Sequence, residues 1–269
     1  KASDQVVLQG LDFNATWACN SACIMCGPQL SSLWATELGV ASAEKAKFRS
    51  NPIVDKLELS NLAKVHFNGG EPLLTNDHMR VLSNVSLENL FVSYNTNGTI
   101  YPTKNTIALW KQIKLVKLFF SIDAIGKAFE YIRWPAKWDE VSSNLLRMKA
   151  ELPSNVMFGF NITVGVYNLA DLIDLMDWIN HNMVTNREGD PSDINLQIAY
   201  NFDPAALPNG AKDTILSMIK DCDQLSSIYN YLLTTTYRKS NWMTQLDKID
   251  QRRSTDWKSA LKISEFIDA

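Results

Sequence analysis

Histidine and cysteine are scarce in this chain of 269 residues, which contains 3 histidines and 4 cysteines. A disulfide-rich secreted domain is excluded, because that class is shorter and much denser in cysteine. Long apolar runs are also lacking, so we expect no helix of the roughly 20 apolar residues that a membrane span needs. The net charge of −3 gives no basic footprint and disfavours a nucleic-acid partner. We therefore expect a protein of a reducing compartment, the cytoplasm.

The pattern of apolar residues predicts an α/β protein. Hydrophobic residues make up 46% of the chain and charged residues 20%, which is typical of a globular protein with a sizeable core. Six strands are predicted, at residues 5–17, 63–68, 90–95, 116–123, 156–164 and 194–200. Helices are predicted between them, at residues 29–48, 77–84, 104–113, 125–133, 138–151 and 168–183. This alternation indicates parallel βαβ units, and the chain beyond Tyr200 is predicted to form helices at 212–237 and 242–266.

Three of the four cysteines, Cys19, Cys23 and Cys26, lie within eight residues at the spacing C-x₃-C-x₂-C. A structural zinc site closes with four protein ligands, and an electron-transfer iron–sulfur cluster normally takes four cysteines. Three thiolates on a 4Fe–4S cube instead leave one iron open to a ligand that is not protein. The alternatives are a zinc site completed by His66, His78 or Cys222, and a disulfide with one spare thiol. Cys222 lies in a predicted helix, where we expect a buried structural cysteine.

A second motif, Asn68-Gly69-Gly70-Glu71-Pro72, follows the apolar run at 65–67. Together with the cysteine spacing it resembles the radical S-adenosylmethionine (SAM) superfamily and, within it, the twitch- or SPASM-like branch. Met25 departs from the aromatic residue that is frequent before the last cysteine. The resemblance implies a partial six-stranded parallel (β/α)6 barrel at residues 1–202 and a helical C-terminal extension at 203–269 that covers the barrel. An auxiliary iron–sulfur cluster is bound by several cysteines in that branch, and only Cys222 remains here, so we expect no auxiliary cluster.

The resemblance also implies the roles of particular residues, although it assigns no catalytic one. Cys19, Cys23 and Cys26 would hold the 4Fe–4S cluster. The expected SAM contacts are Gly69, Gly70, Glu71, Asn97, Ser121, Asp123, Arg133 and Asn161. For Asp123 the alternative is a helix N-cap, and for Arg133 it is a surface salt bridge. The two asparagines could equally bond to the backbone.

The remaining polar candidates are weaker. Gln197 and Tyr200 on the sixth strand are candidates to face a substrate. His66, His78 and His181 show no catalytic pattern, and His78 is expected to be a solvated helical residue.

The implied activity is reductive cleavage of SAM at the cluster to a 5′-deoxyadenosyl radical, which abstracts hydrogen from a substrate. The expected partners are a one-electron donor such as flavodoxin and a peptide or protein substrate. The same chemistry on a small-molecule or nucleotide-derived substrate is the alternative. A non-catalytic iron–sulfur or SAM-binding protein and a zinc-stabilised binding module are further alternatives.

Overall fold

The computed structural model describes residues 7–40, 56–183 and 193–267. They form one parallel six-stranded sheet in which the strands follow one another in chain order. The strands are β1 (Gly10–Thr16), β2 (Lys64–Gly69), β3 (Phe91–Thr96), β4 (Leu115–Ser121), β5 (Val156–Val164) and β6 (Ile194–Ile198). Within the described ranges β1 and β6 do not pair with each other, so the sheet is not closed. The predicted partial barrel of six parallel strands is confirmed.

The helices fall between the strands and after the last one. The first six are α1 (Ser32–Glu37), α2 (Asp77–Leu82), α3 (Lys104–Trp110), α4 (Gly126–Ile132), α5 (Trp138–Glu151) and α6 (Leu172–Asn182). Beyond the sheet lie α7 (Asn209–Ile219), α8 (Ser226–Thr234), α9 (Trp242–Arg253) and α10 (Trp257–Ala260). In the described part of the chain no helix is both long and apolar enough to span a bilayer.

Several predicted boundaries change. α1 begins at Ser32 because the Ser31 hydroxyl accepts a hydrogen bond from the Trp34 amide and caps the helix; residues 41–48 of the predicted helix lie outside the described residues. A single helix at 212–237 is wrong, because α7 ends at Ile219 and α8 starts at Ser226. The segment between them, Lys220–Leu225, contains two aspartates and one cysteine, which have low helix propensity. Cys222 lies in this segment between the two helices and not in the predicted helix, and it is half-buried.

The described chain divides into two compact units. Of the described residues, the first contains 7–21, 27–40, 56–120 and 147–158, and the second contains 22–26, 121–146, 159–183 and 193–267. Pairing of β1 with β2, β2 with β3 and β3 with β4 organises the first unit. Pairing of β5 with β6 belongs to the second. The boundary between a barrel at 1–202 and an extension at 203–269 stays a prediction.

Aromatic residues on one side of β2 and β3 form the core of the first unit. Phe67 and Tyr94 stack with ring centroids 4.8 Å apart. The Trp110 indole donates to the Tyr94 hydroxyl over 3.2 Å, and that hydroxyl lies 3.0 Å from Nδ1 of His78. The prediction that His78 is solvated is wrong, since the residue is 2% exposed. Burial, which outweighs the opposing effect of Asp77, lowers the pKa of His78 to about 4, so the imidazole is neutral at physiological pH.

The other side of the same strands is polar and half-exposed. The Asn68 amide donates to Asp12 over 2.9 Å, and the Asn95 amide donates to Asn68. His66 Nδ1 lies 2.7 Å from the Ser93 hydroxyl. These five residues come from β1, β2 and β3 and alternate with the buried aromatic ones. Parallel sheets are usually apolar and covered on both faces, so this polar face marks the side on which small ligands can be bound.

Candidate cofactor site

The first part of the cysteine loop is held by two serines at the start of α1. The Ser32 hydroxyl accepts from the Cys19 amide over 3.0 Å and donates to the Cys19 carbonyl over 3.2 Å. The Ser31 hydroxyl donates to the Ser21 carbonyl over 2.7 Å. Because these bonds fix the main chain on both sides of Cys19, its position does not depend on packing of the side chain.

The second part of the loop is fixed by main-chain bonds to residues that follow α4. The amides of Ala22 and Ile24 donate to the carbonyls of Trp134 and Ile132 over 2.7 and 2.9 Å. The Ala22 carbonyl also accepts from Arg253 over 2.8 Å. A further bond of 2.9 Å, from the Cys26 amide to the Cys23 carbonyl, forms a tight turn that contains both cysteines.

The three cysteines of the loop differ in their exposure. Cys23 is buried, whereas Cys19 and Cys26 are half-buried, and none of the three forms a disulfide. A guanidinium nitrogen of Arg133 lies 3.6 Å from Cys23 Sγ. Burial raises the pKa of the Cys23 thiol, and the positive charge of Arg133 opposes that shift.

The donor set fits an iron–sulfur cluster. In the described ranges no three histidine, cysteine or acidic side chains are placed to hold one metal ion. A cluster makes a different demand, because each cysteine binds a separate iron. The thiols of Cys19, Cys23 and Cys26 are soft sulfur ligands, the ligand type that iron–sulfur chemistry uses.

The double glycine at the end of β2 lies against the residues that lead into the cysteine loop. The Gly70 amide donates to the Thr16 carbonyl over 2.6 Å, and the Glu71 amide donates to the Ala18 carbonyl over 2.8 Å. Gly69 has a φ of +112°. A Cβ atom on Gly70 would lie 2.2 Å from the Ala18 carbonyl oxygen. Only glycine allows this approach, so the turn and the residue before Cys19 are joined backbone to backbone.

Glu71 is completely buried and its carboxylate joins the ends of β2 and β3. Oε1 accepts from the Thr96 hydroxyl over 2.9 Å, and Oε2 accepts from the Asn97 amide over 2.7 Å. Oε1 also accepts from the Leu73 amide over 3.1 Å. These bonds occupy the side chain, so a SAM contact at this residue would come from its main chain.

Asn97 is the predicted site residue that the structure brings to the first part of the cysteine loop. Its amide nitrogen donates to Asn20 over 2.9 Å and to the Ser21 hydroxyl over 3.2 Å. Its carbonyl oxygen accepts from the amide and hydroxyl of Thr99. Asn20 and Thr99 also bond to each other over 2.8 Å. Neither was predicted as a site residue, although Asn20 lies inside the cysteine motif itself.

Asp123 and Arg133 form a buried ion pair beyond the end of β4. Asp123 Oδ2 accepts from Arg133 Nε over 2.7 Å, and Oδ1 accepts from the Thr163 amide over 2.7 Å. Burial raises the pKa of Asp123, and the Arg133 guanidinium opposes the shift. The N-cap of α4 is Ile125, so the alternative that Asp123 caps this helix is wrong, as is a surface location for Arg133.

The last two predicted contacts are on strands. Ser121 ends β4 and is half-buried. Asn161 on β5 accepts from the side-chain amide of Asn195 on β6 over 2.9 Å. Their contacts to SAM, like those of the other predicted residues, stay predictions.

Comparison with known proteins gives a short sequence match and a fold match. No protein-family profile matches the chain. A segment of 88 residues is 32% identical to mycofactocin maturase MftC of Mycobacterium tuberculosis, which is 33% of this chain and 21% of that protein. The match thus spans about a fifth of the curated relative's length.

The structure of anSMEcpe with bound AdoMet superposes with a TM-score of 0.51 at 14% identity, over 88% of this chain and 64% of that one. This match shows that the two chains share a fold. In the present chain the cysteine motif lies in the loop after β1, and the double-glycine motif lies at the end of β2. The sequence match and the shared fold agree with the predicted resemblance. The structure of Streptococcus suis SuiB bound to S-adenosylmethionine superposes with a TM-score of 0.49 at 12% identity, over 81% of this chain and 48% of that one.

Proposed function

We propose that this chain is a radical SAM enzyme that holds a 4Fe–4S cluster with Cys19, Cys23 and Cys26 and cleaves SAM reductively. The observation that carries the proposal is the pair of main-chain bonds from Gly70 and Glu71 to Thr16 and Ala18. The glycine motif is thereby bonded to the main chain of Thr16 and of Ala18, the residue directly before Cys19.

The chemistry that the bound cluster would supply is one-electron reduction of SAM, which gives methionine and a 5′-deoxyadenosyl radical. The chain's own contribution is to hold and orient. The serines at the start of α1 fix Cys19, and the turn at 23–26 fixes the other two thiolates. The bare main chain of Gly69 and Gly70 is open to a hydrogen bond from the methionyl amino group. Arg133 favours the thiolate form of Cys23 and provides a cation for a carboxylate.

The test is anaerobic reconstitution with iron and sulfide, followed by addition of dithionite and SAM and an assay of 5′-deoxyadenosine by mass spectrometry. We expect product from the unmodified chain, and neither iron–sulfur absorption nor product from Cys23→Ala. Cys222→Ala is the matched control, because it removes a thiol outside the loop, and it should retain both signals. Normal absorption in Cys23→Ala would contradict the ligand assignment.

Metal analysis separates the rival functions. A zinc-stabilised binding module would contain zinc without sulfide, whereas the proposed enzyme contains iron with sulfide. A non-catalytic SAM-binding protein would show a SAM-dependent change in the electron paramagnetic resonance of its cluster but no 5′-deoxyadenosine under any reductant or substrate.

We propose a peptide or protein as the substrate, with flavodoxin or a similar one-electron donor as the physiological partner. The motif pattern and the helices that follow β6 support a peptide, and a small-molecule or nucleotide-derived substrate is the alternative. The rate of 5′-deoxyadenosine formation, measured with flavodoxin and its reductase, should rise on addition of a peptide library. A rise only with small metabolites would favour the alternative.

A further inference from the structure

A cleft of about 880 Å³ lies in the second unit at the carboxyl end of β6. It is lined by Ile198 and Tyr200 and by the segment between α8 and α9, which includes Arg238 and Lys239. Gln245 of α9 lines it as well. None of these residues belongs to the proposed cofactor site.

The cleft presents unbalanced positive charge. Its acidic residue, Asp203, is engaged: Oδ1 accepts from the Tyr231 hydroxyl over 2.7 Å and Oδ2 accepts from Arg238 over 2.8 Å. Asp203 therefore anchors Arg238 through one of its guanidinium nitrogens. Lys239 is exposed, and among the described residues its ammonium group has no partner. The lining offers an anchored guanidinium and a free ammonium to an acidic ligand.

An aromatic side chain stands at the mouth of the cleft. Tyr200 is 97% exposed, and tyrosine is on average a residue of intermediate burial. Tyrosine and arginine are the residues most enriched in binding hot spots. Exposed tyrosine next to anchored arginine indicates a surface that is covered when a partner binds.

β6 leads into this cleft and is the last strand of the sheet that the described residues form. The Phe160 amide donates to the Asp193 carbonyl and the Ala199 amide donates to the Val164 carbonyl, each over 2.8 Å. In a parallel ladder these bonds make 195 and 197 face β5. The main-chain groups of 194, 196 and 198 point to the other side, where no described strand pairs with them. Such an edge accepts an extended peptide as an added strand.

We propose that the edge of β6 and the adjoining cleft bind an extended acidic segment of the peptide substrate, separate from the residue that reacts. The inference rests on the proposed function and specifies its substrate class. Pairing with the edge selects an extended peptide, and Arg238 and Lys239 select carboxylate side chains. Two cations are too few to follow a nucleic-acid backbone, which is neutralised by many phosphate contacts.

The test measures binding of two fluorescein-labelled peptides to the reconstituted full chain by fluorescence anisotropy. One peptide alternates glutamate with threonine and the other alternates glutamine with threonine. We expect the acidic peptide to bind more tightly, and Lys239→Glu to weaken that binding about tenfold. Lys220→Glu is the matched control, because it makes the same charge change on an exposed lysine outside the cleft. It should leave binding unchanged within about twofold.

Peptide N-methylation tests the edge separately. Methyl groups on one alternate set of amide nitrogens should abolish binding, and methyl groups on the other set should be tolerated, because an added strand turns only half of its amides towards β6. The proposal would be overturned if the two methylation sets had equal effects or if the two peptides bound equally. It would also be overturned if the two lysine variants had equal effects, or if a single-stranded oligonucleotide bound more tightly than the acidic peptide.

The anisotropy is read without SAM or reductant. Failure of SAM cleavage therefore leaves the binding result intact, and a chain that forms 5′-deoxyadenosine but shows no preference for the acidic peptide would refute only this inference.

Discussion

Two fully buried carboxylates mark the ends of β2 and β4, and the chain holds them in different ways. Glu71 accepts hydrogen bonds from a hydroxyl and two backbone amides, and these three donors are uncharged. Asp123 accepts hydrogen bonds from a backbone amide and from the guanidinium of Arg133. A carboxylate held by neutral donors depends on backbone geometry, whereas one held by a cation depends on that cation. The end of β2 is therefore set by the shape of the main chain, and the region beyond β4 is set by charge.

Removal of the cation should have the largest effect. In Arg133→Met, Asp123 stays buried without its partner, and we expect the free energy of unfolding to fall by about 3–5 kcal/mol in urea titrations. Lys137→Met is the matched control, because it breaks an exposed ion pair of the same length with Glu130, and it should cost less than about 1 kcal/mol. Equal losses in the two variants would mean that the buried pair has no special role beyond β4.

A methyl group at the end of β2 should have the next largest effect. Gly70→Ala places a Cβ atom 2.2 Å from the Ala18 carbonyl oxygen, and we expect a loss of about 3 kcal/mol or more by the same titration. Gly10→Ala is the control, because nothing lies within 4 Å of a Cβ atom there. A Gly70→Ala variant as stable as Gly10→Ala would show that backbone shape does not set this turn.

Acid should affect the first unit through His78. Its pKa is about 4 in the folded chain and about 6.5 in an unfolded one. The unfolded state binds more protons between these values, so stability falls as the pH falls through this window. We expect a loss of about 2 kcal/mol between roughly pH 7 and pH 5. The measurement is urea unfolding at several pH values. His78→Phe should remove this pH dependence of stability, and the control His181→Phe, at an exposed histidine, should retain it. An unchanged slope in His78→Phe would assign the pH dependence to other groups.

The order of the strands and both motifs could be predicted from the sequence because their signals are local. Alternating apolar residues mark each strand, and a double glycine after a strand marks a close approach of the backbone. The surroundings of His78 could not be predicted in this way. Its partner Tyr94 is on another strand, and a histidine at a helix start gives no local sign that it is buried.

The partner of Asp123 and the cleft beside β6 were missed for a related reason. Arg133 is ten residues away from Asp123, beyond a helix whose length and direction decide whether the two meet. The cleft depends on how the segment between α8 and α9 returns towards the end of β6, and the helix break at 220–225 was itself mispredicted. Tyr200 was a substrate candidate from its place on the sixth strand, but its exposure depends on tertiary structure.

The contact between the double glycine and the segment before Cys19 restricts substitutions on one of its sides more than on the other. Both hydrogen bonds join main-chain atoms, so they place no demand on the side chains of Thr16 and Ala18. Residues 69 and 70 have no such latitude, because a Cβ atom on either one would meet a carbonyl oxygen at 2.2 Å. In a randomised library, selection for the folded chain would fix glycine on the β2 side and leave the identity of residue 18 to other contacts. Residue 18 is therefore the place to introduce a label or a reactive group next to the cysteine loop.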